Sequence, residues 1–266
     1  MKTYSIIHAP LMSFYSKPLY RDVALSWRGS GLGYLFVLLA FCWIPMMIVF
    51  QTAFLKFSSW DVPAIARQLP QIVIANGNVS VTGDQPRYIR YPDSQEILAI
   101  VDTTGQIQSL DNTKAAILLT KNKFMVKNGK VETRTFDLSQ VPNFVLDEDR
   151  IMQWVNTARM YLVLVLYPVC LLASFVYRTV QVLFYAAIGV IFASAYKKNL
   201  SFPAILRLAT VAVTPPIVIS LVLTILGFSL LLEMTPFYFV MAMAYLFFGI
   251  QAATTQEATG QPRTSF

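Results

Sequence analysis

The sequence predicts an α-helical polytopic membrane protein of about five transmembrane helices, with a small antiparallel β-rich extracytoplasmic domain inserted after the first. Three observations carry that expectation. Hydrophobic residues make up 56% of the chain and charged residues 13%, with a mean hydropathy of +0.54, more apolar surface than one soluble core of this length uses. The apolar residues gather in runs of membrane length, and between the first run and the rest lies a segment with strand periodicity.

The net charge of +7 does not point to nucleic acid, because the basic residues sit at the edges of apolar segments and form no single stripe. They orient a membrane protein instead. Residues 1–30 read as a cytoplasmic interfacial segment: in FYSKPLYRDVALSWRGS, aromatics including Tyr20 and Trp27 mix with Lys17, Arg21 and Arg28. The N-terminus lacks the short apolar core and cleavage site of a signal peptide, so the first span is expected to persist.

That span, 31–54, reads GLGYLFVLLAFCWIPMMIVFQTAF from Gly31, uncharged, with Pro45 placed to kink it. Residues 55–150 follow as the extracytoplasmic domain. A short helix from Trp60 to Leu69 should end at Pro70. Then QIVIANGNVSV and FMVKNGKVET each hold an Asn-Gly pair between β-prone runs, the signature of a type I′ hairpin. With EILAIVDTT and KAAILLT, the stretch from Gln71 to Leu138 reads as one antiparallel sheet. Asp147 then stands as an N-cap, with acidic residues in the following turn.

Residues 151–252 form the C-terminal bundle. Runs 160–177 and 180–196 are separated only around Arg178, and they read as a tight helical hairpin. Residues 202–214 (SFPAILRLATVAVT from Ser201, with Arg207 inside) read as an interfacial helix that Pro215 and Pro216 break. Spans 215–232 and 237–251 follow, joined by a turn at Glu233, and 253–266 is a polar tail expected to be disordered. Five crossings leave Lys197, Lys198 and Arg207 outside, against the positive-inside rule. If 160–196 crossed once, with Arg178 against protein, those residues would be inside; the extracytoplasmic placement of 55–150 holds either way.

Candidate chemistry is sparse. The string ILAIVDTTGQ places Asp102 as an aspartic protease places its carboxylate, but an extra threonine intervenes and no second copy exists, so a strand end is the favoured reading. His8 has no partner at ligand spacing. Cys42 and Cys170 lie in apolar runs, without a metal or disulfide pattern. No phosphate loop or catalytic triad is visible, so no cofactor and no metal are expected.

FYSKPLYRDVALSWRGSGLGYL with CWIP, then RLATVAVTPPIVI and AYLFFGI, together with the middle strings LPQIVIANGNVSV and AIVDTTG, resemble an uncharacterised bacterial membrane family. Some of its members carry the label maltodextrin utilisation membrane protein. The late block is also similar to Yip-type membrane proteins, helical bundles linked to membrane trafficking and scaffolding. The resemblance implies a Yip-like bundle and puts weight on Tyr20, Arg21, Trp27, Gly31, Arg207, Pro215 and Pro216; Asp102 and Arg178 join them on chemical grounds.

The functional expectation is a non-enzymatic inner-membrane scaffold or interaction partner for an envelope component, with the lipid bilayer and a membrane or envelope protein as partners. The competing expectation is an accessory or permease-like component for a sugar or small solute, which needs a polar cavity near Arg178, Thr214 and Ser220. A membrane-embedded hydrolase using Asp102 is a third.

Overall fold

A computed structural model describes residues 4, 8–94, 96–111, 113–128, 132–197, 199–228 and 235–254. The chain divides into two units, Met1–Val49 with Val165–Phe266, and Phe50–Leu164. Among the described residues four helices are long and apolar enough to cross a membrane: Leu32–Ala66, Glu148–Ala195, Phe202–Ile225 and Pro236–Thr254.

The first unit is helical. Short α1 (Ala9–Met12) leads into α2 (Lys17–Leu25), whose N-cap Ser16 accepts from the Leu19 N–H at 3.3 Å. Leu19, Tyr20, Val23 and Ala24 are buried, and α2 packs on two later helices, α6 (Phe202–Ala212) and α8 (Thr235–Thr254). The interfacial segment thus sends Tyr20 and Trp27 inward. Their rings serve the protein core, while Leu11, Tyr15 and Leu25 stay exposed.

Helix α3 (Leu32–Lys56) carries Pro45 internally. It lies along α5 (Glu148–Ala195): Phe36 meets Phe175 edge to face at 5.3 Å, the Tyr167 hydroxyl donates to the Ala40 carbonyl, and Trp43 Nε1 donates to Ser174 Oγ at 2.7 Å. Helix α3 passes into the second unit at its C-terminal end and α5 leaves that unit at its N-terminal end, so the two run antiparallel.

The hairpin expected at Arg178 is not formed. Helix α5 runs 48 residues without interruption, through Pro168 and Arg178. The reason is local: SFVYRTVQVLFY contains no Gly, Pro, Asn or Asp to turn the chain, and one arginine can stay in a helix if its head reaches a polar partner. Runs 160–177 and 180–196 are therefore one helix.

Helix α6, the helix expected at the interface, is buried by the chain on nearly every side, from Ala204 to Ala212 with Arg207 half-buried. The break predicted at Pro215 and Pro216 is present. Helix α7 (Thr214–Ile225) starts there, because neither proline can donate to the carbonyls of Val211 and Ala212. It ends at Ile225, not Leu232. Gly227 at φ +79° closes it, with Phe228 N–H bonded to the Leu223 carbonyl and Gly227 N–H to that of Thr224, a Schellman end. Glu233 and its turn, Lys198, and the tail beyond Thr254 lie outside the described residues.

The second unit holds strands β1 (Ile72–Ala75), β2 (Asn78–Val81), β3 (Arg87–Arg90), β4 (Ile97–Val101), β5 (Ile117–Leu119), β6 (Lys123–Asn128), β7 (Glu132–Asp137) and β8 (Phe144–Leu146), preceded by the short helix α4 (Val62–Ala66). The single antiparallel sheet expected is two sheets. One has order β2-β1-β8; the other, β3-β4-β5-β6-β7, is mixed, because β4 and β5 pair in parallel. The long excursion from Val101 to Ile117 supplies the crossover that a parallel pair needs.

The Asn76-Gly77 turn has φ of 51° and 75°, as a type I′ turn requires. Strands β6 and β7 also pair antiparallel, while Gly129 of their Asn-Gly turn lies outside the described residues. Asp147 caps α5, accepting from Arg150 N–H at 2.9 Å. The start of α5 is further held by Trp154 stacked on Phe144 and by Arg159 donating to Ser58 and Ser59.

Candidate functional site

The residues weighted by resemblance converge at the end of α2. A helix of nine residues leaves its last carbonyls without partners. Arg207 of α6 supplies them: its Nε donates to the Val23 carbonyl at 3.0 Å, Nη2 to Ala24 at 2.7 Å and Nη1 to Gly29 at 3.2 Å. A planar guanidinium with five donors can serve three carbonyls at once, which an ammonium cannot do in the same fixed geometry. Its charge also suits the negative end of the helix dipole.

Around this clamp the other residues fix the approach of the chain. Gly31 has φ +81°, and a Cβ there would collide with Thr210 Oγ1, so only glycine lets the α2–α3 connection pass α6. Trp27 packs edge-on against Tyr34 at 5.6 Å, and the Tyr34 hydroxyl shares a 2.8 Å hydrogen bond with Thr214 Oγ1 at the head of α7, beside Pro215 and Pro216.

Tyr20 donates to the Ser13 carbonyl at 2.7 Å and stacks edge-on against Phe248. Burial, with Tyr245 and Tyr34 nearby, pushes its hydroxyl far above the usual range, so it stays neutral. Arg21 lies half-buried on the same helix. Tyr20, Trp27, Gly31, Arg207, Pro215 and Pro216 thus form one connected arrangement, in which Tyr20 and Arg207 donate to carbonyls of the chain itself. Thr210, Thr214 and Tyr34 belong to it too. Their type gave no sign of this in the sequence, although all three lie inside resembling strings, Tyr34 in the N-terminal one and Thr210 and Thr214 in RLATVAVTPPIVI.

Asp102 and Arg178 stand apart from that arrangement. The Asp102 carboxylate, fully buried at the end of β4, accepts from Thr104 N–H at 2.8 Å, Thr104 Oγ1 at 2.5 Å and Ile107 N–H at 2.5 Å. Burial alone would raise its pKa, but the Thr104 hydroxyl and the Ile107, Thr104 and Gly105 N–H groups outweigh burial and hold it below the usual carboxylate range. The next residue is pinned by Gln85, whose Oε1 accepts from both Thr103 N–H and its hydroxyl. This is the geometry of an Asx-type loop anchor. An open depression of about 320 Å³ adjoins it, with Lys121, Asn122 and Lys123 on its rim.

Arg178 donates to Gln181 Oε1 at 2.6 Å, and Gln181 donates to the Tyr185 hydroxyl at 2.8 Å, a polar chain along one face of α5. His8 is exposed at the start of α1. Among the described residues, no group of three or more His, Cys, Asp or Glu side chains could hold a metal ion.

These features define a class: a two-unit chain with an apolar helical bundle that locks its own N-terminal helix through an arginine clamp, and with a two-sheet second unit. The family model described as "Protein of unknown function (DUF1189)" matches residues 9–250, and the chain belongs to that family. It is also similar to "Uncharacterized protein RP489" of Rickettsia prowazekii (strain Madrid E), 27% identical over 126 residues, 43% of each chain. The chain thus matches less than half the length of that relative. No solved structure matches.

Proposed function

We propose that this chain is a multi-pass protein of a bacterial cytoplasmic membrane, N-terminus inside and residues 55–150 extracytoplasmic. It acts without catalysis, as a scaffold or interaction partner for an envelope component. The observation that supports membrane insertion is the surface of α5. Met160, Leu164, Val169, Leu172 and Val176 are exposed along the stretch that precedes Arg178, an apolar surface that water does not tolerate and lipid does. At 48 residues α5 is about 72 Å long against a hydrocarbon layer of ~30 Å, so its charged start, Glu148 to Arg159, extends beyond the layer.

The Yip-like reading belongs to this proposal, with α6 and α7 as the proline-broken element. The scaffold reading is supported by how the distinctive side chains are used: Arg207, Tyr20, Tyr34, Thr214 and Asp102 bond to the chain's own groups, as parts that hold a shape do. Carbonate washing of membranes should leave the protein in the pellet. Affinity purification in mild detergent after cross-linking should then return one envelope protein reproducibly. Release by carbonate would sink the membrane reading, and purification with no reproducible partner would sink the scaffold reading.

The permease-like reading draws on one observation, the Arg178–Gln181–Tyr185 chain inside an apolar helix, since ionisable groups there are functional candidates by default. It requires solute uptake to fall in Arg178→Leu.

A further inference from the structure

An apolar slot of about 180 Å³ opens between the α1–α2 connection and α8, lined by Phe14, Ala244, Tyr245 and Phe248. Its walls are held by ring contacts. Phe14 packs edge-on against Tyr245, and Phe248 is braced by the buried ring of Tyr20. Gly249 lets that brace form, because a Cβ there would come within 2.6 Å of the Tyr20 ring.

At the mouth stands Lys17, exposed, its Nζ 5.9 Å from the centroid of the Phe248 ring. A lysine in the first turn of a helix faces the positive end of the helix dipole, where an anion is favoured and a cation is not. An open apolar slot and a cation at the positive end of its own helix therefore adjoin, the cation lying over the Phe248 ring that lines the slot. Leu11 and Tyr15 beside them are 72% and 65% exposed.

We propose that this is a binding site for an anionic phospholipid, with a length of acyl chain in the slot and the phosphate at Lys17. One ligand answers both features, since the chain removes the slot from water and the phosphate neutralises Lys17 at the helix N-terminus. The chain's net charge of +7 favours an anionic lipid over a zwitterionic one. The proposal rests on the membrane reading above.

The test uses the full chain purified in mild detergent and titrated with phosphatidylglycerol, with phosphatidylcholine of the same acyl chains, or with inorganic phosphate. Lipid retention is read by native mass spectrometry and protein stability by thermal unfolding. Phosphatidylglycerol should bind about fivefold more tightly than phosphatidylcholine, the contribution of one lysine near a lipid phosphate. Inorganic phosphate should not raise the unfolding temperature.

Lys17→Gln should remove the preference between the two lipids, and Ala244→Phe, at an exposed position that fills the slot, should weaken both. Equal binding of the two lipids to the native chain, an unchanged preference in Lys17→Gln, or stabilisation by phosphate alone overturns the proposal. A protein that leaves membranes in carbonate fails the membrane reading instead, so the two failures are distinct.

Discussion

Arg207 Nη2 donates to the Ala24 carbonyl at 2.7 Å across 183 residues of sequence, and the same guanidinium reaches Val23 and Gly29. Removing it strands the Val23 and Ala24 carbonyls in the last turn of a packed helix and releases that of Gly29 in the following connection. Hydrogen bonds to a charged group contribute ~1.5 to 3 kcal/mol each, less where water can replace them, and Arg207 is half-buried. Arg207→Ala should therefore cost about 2 kcal/mol or more and lower the thermal unfolding temperature in detergent. It should also make residues 1–30 sensitive to protease. Arg207→Lys should recover less than half of the loss, because a single ammonium cannot serve three diverging carbonyls. Equal stability of the Lys variant and the native chain would remove the clamp from the argument.

Gly31 and Gly33, two residues apart, should respond in opposite ways to alanine. Gly31 sits at φ +81° against Thr210, whereas Gly33 lies in the first turn of α3 with nothing within 4 Å of its ideal Cβ. Left-handed backbone costs a residue with a Cβ ~1 to 2 kcal/mol before any collision is counted. Gly31→Ala should thus lose at least that much, and Gly33→Ala should be neutral or stabilising by a few tenths, the helix preference for alanine. Thermal unfolding of the two variants side by side decides it.

Asp102 gives the two-sheet unit a dependence on acid. Its carboxyl is held below the usual range in the folded chain, by the Thr104 hydroxyl and loop N–H groups acting against burial. The stabilisation is therefore complete above the unfolded-state value of about 3.9 and is lost as pH falls through the lower folded value. Asp102→Asn, which cannot ionise, should be less stable than the native chain at pH 7, and the gap should narrow below about pH 4. A gap that stays constant down to pH 2.5 would mean that the carboxylate charge does nothing in the loop.

What could be read without coordinates was local chemistry. Asn76-Gly77 carries its φ requirement in its composition, Asp147 is followed at once by an acidic first turn, and the proline pair cannot donate to Val211 and Ala212. Each of these was found where expected. What could not be read depends on partners distant in sequence. The parallel pairing of β4 with β5 follows from packing across a long excursion. The burial of α6 follows from α2 and α8 closing over it. Arg178 misled for a different reason: a charge in an apolar run suggests an interface, yet only backbone chemistry turns a helix, and none is present there. For the arrangement around Arg207, the resembling strings marked the right residues. Their composition did not show that Arg207 would meet the end of α2.

The continuity of α5 leads to a topological prediction. Phe36 meets Phe175 in the antiparallel pair, so Arg178, three residues further along α5, lies about level with the first turn of α3, which begins at Leu32. On the membrane reading that is the headgroup level of the first span, where an arginine costs little. If α3, α5, the α6–α7 element and α8 each cross once, Lys17, Arg21, Arg28, Lys197, Lys198 and Arg207 all fall on the cytoplasmic side, as the positive-inside rule prefers. In a Cys42→Ser, Cys170→Ser background, a cysteine at Asn199 should therefore resist a membrane-impermeant maleimide in intact spheroplasts and react after lysis. A cysteine at Thr120, in the two-sheet unit that the membrane reading puts outside, should react in both. Labelling of Asn199→Cys in intact spheroplasts would place the α5–α6 connection outside and require α5 to reach it by some route other than a single crossing.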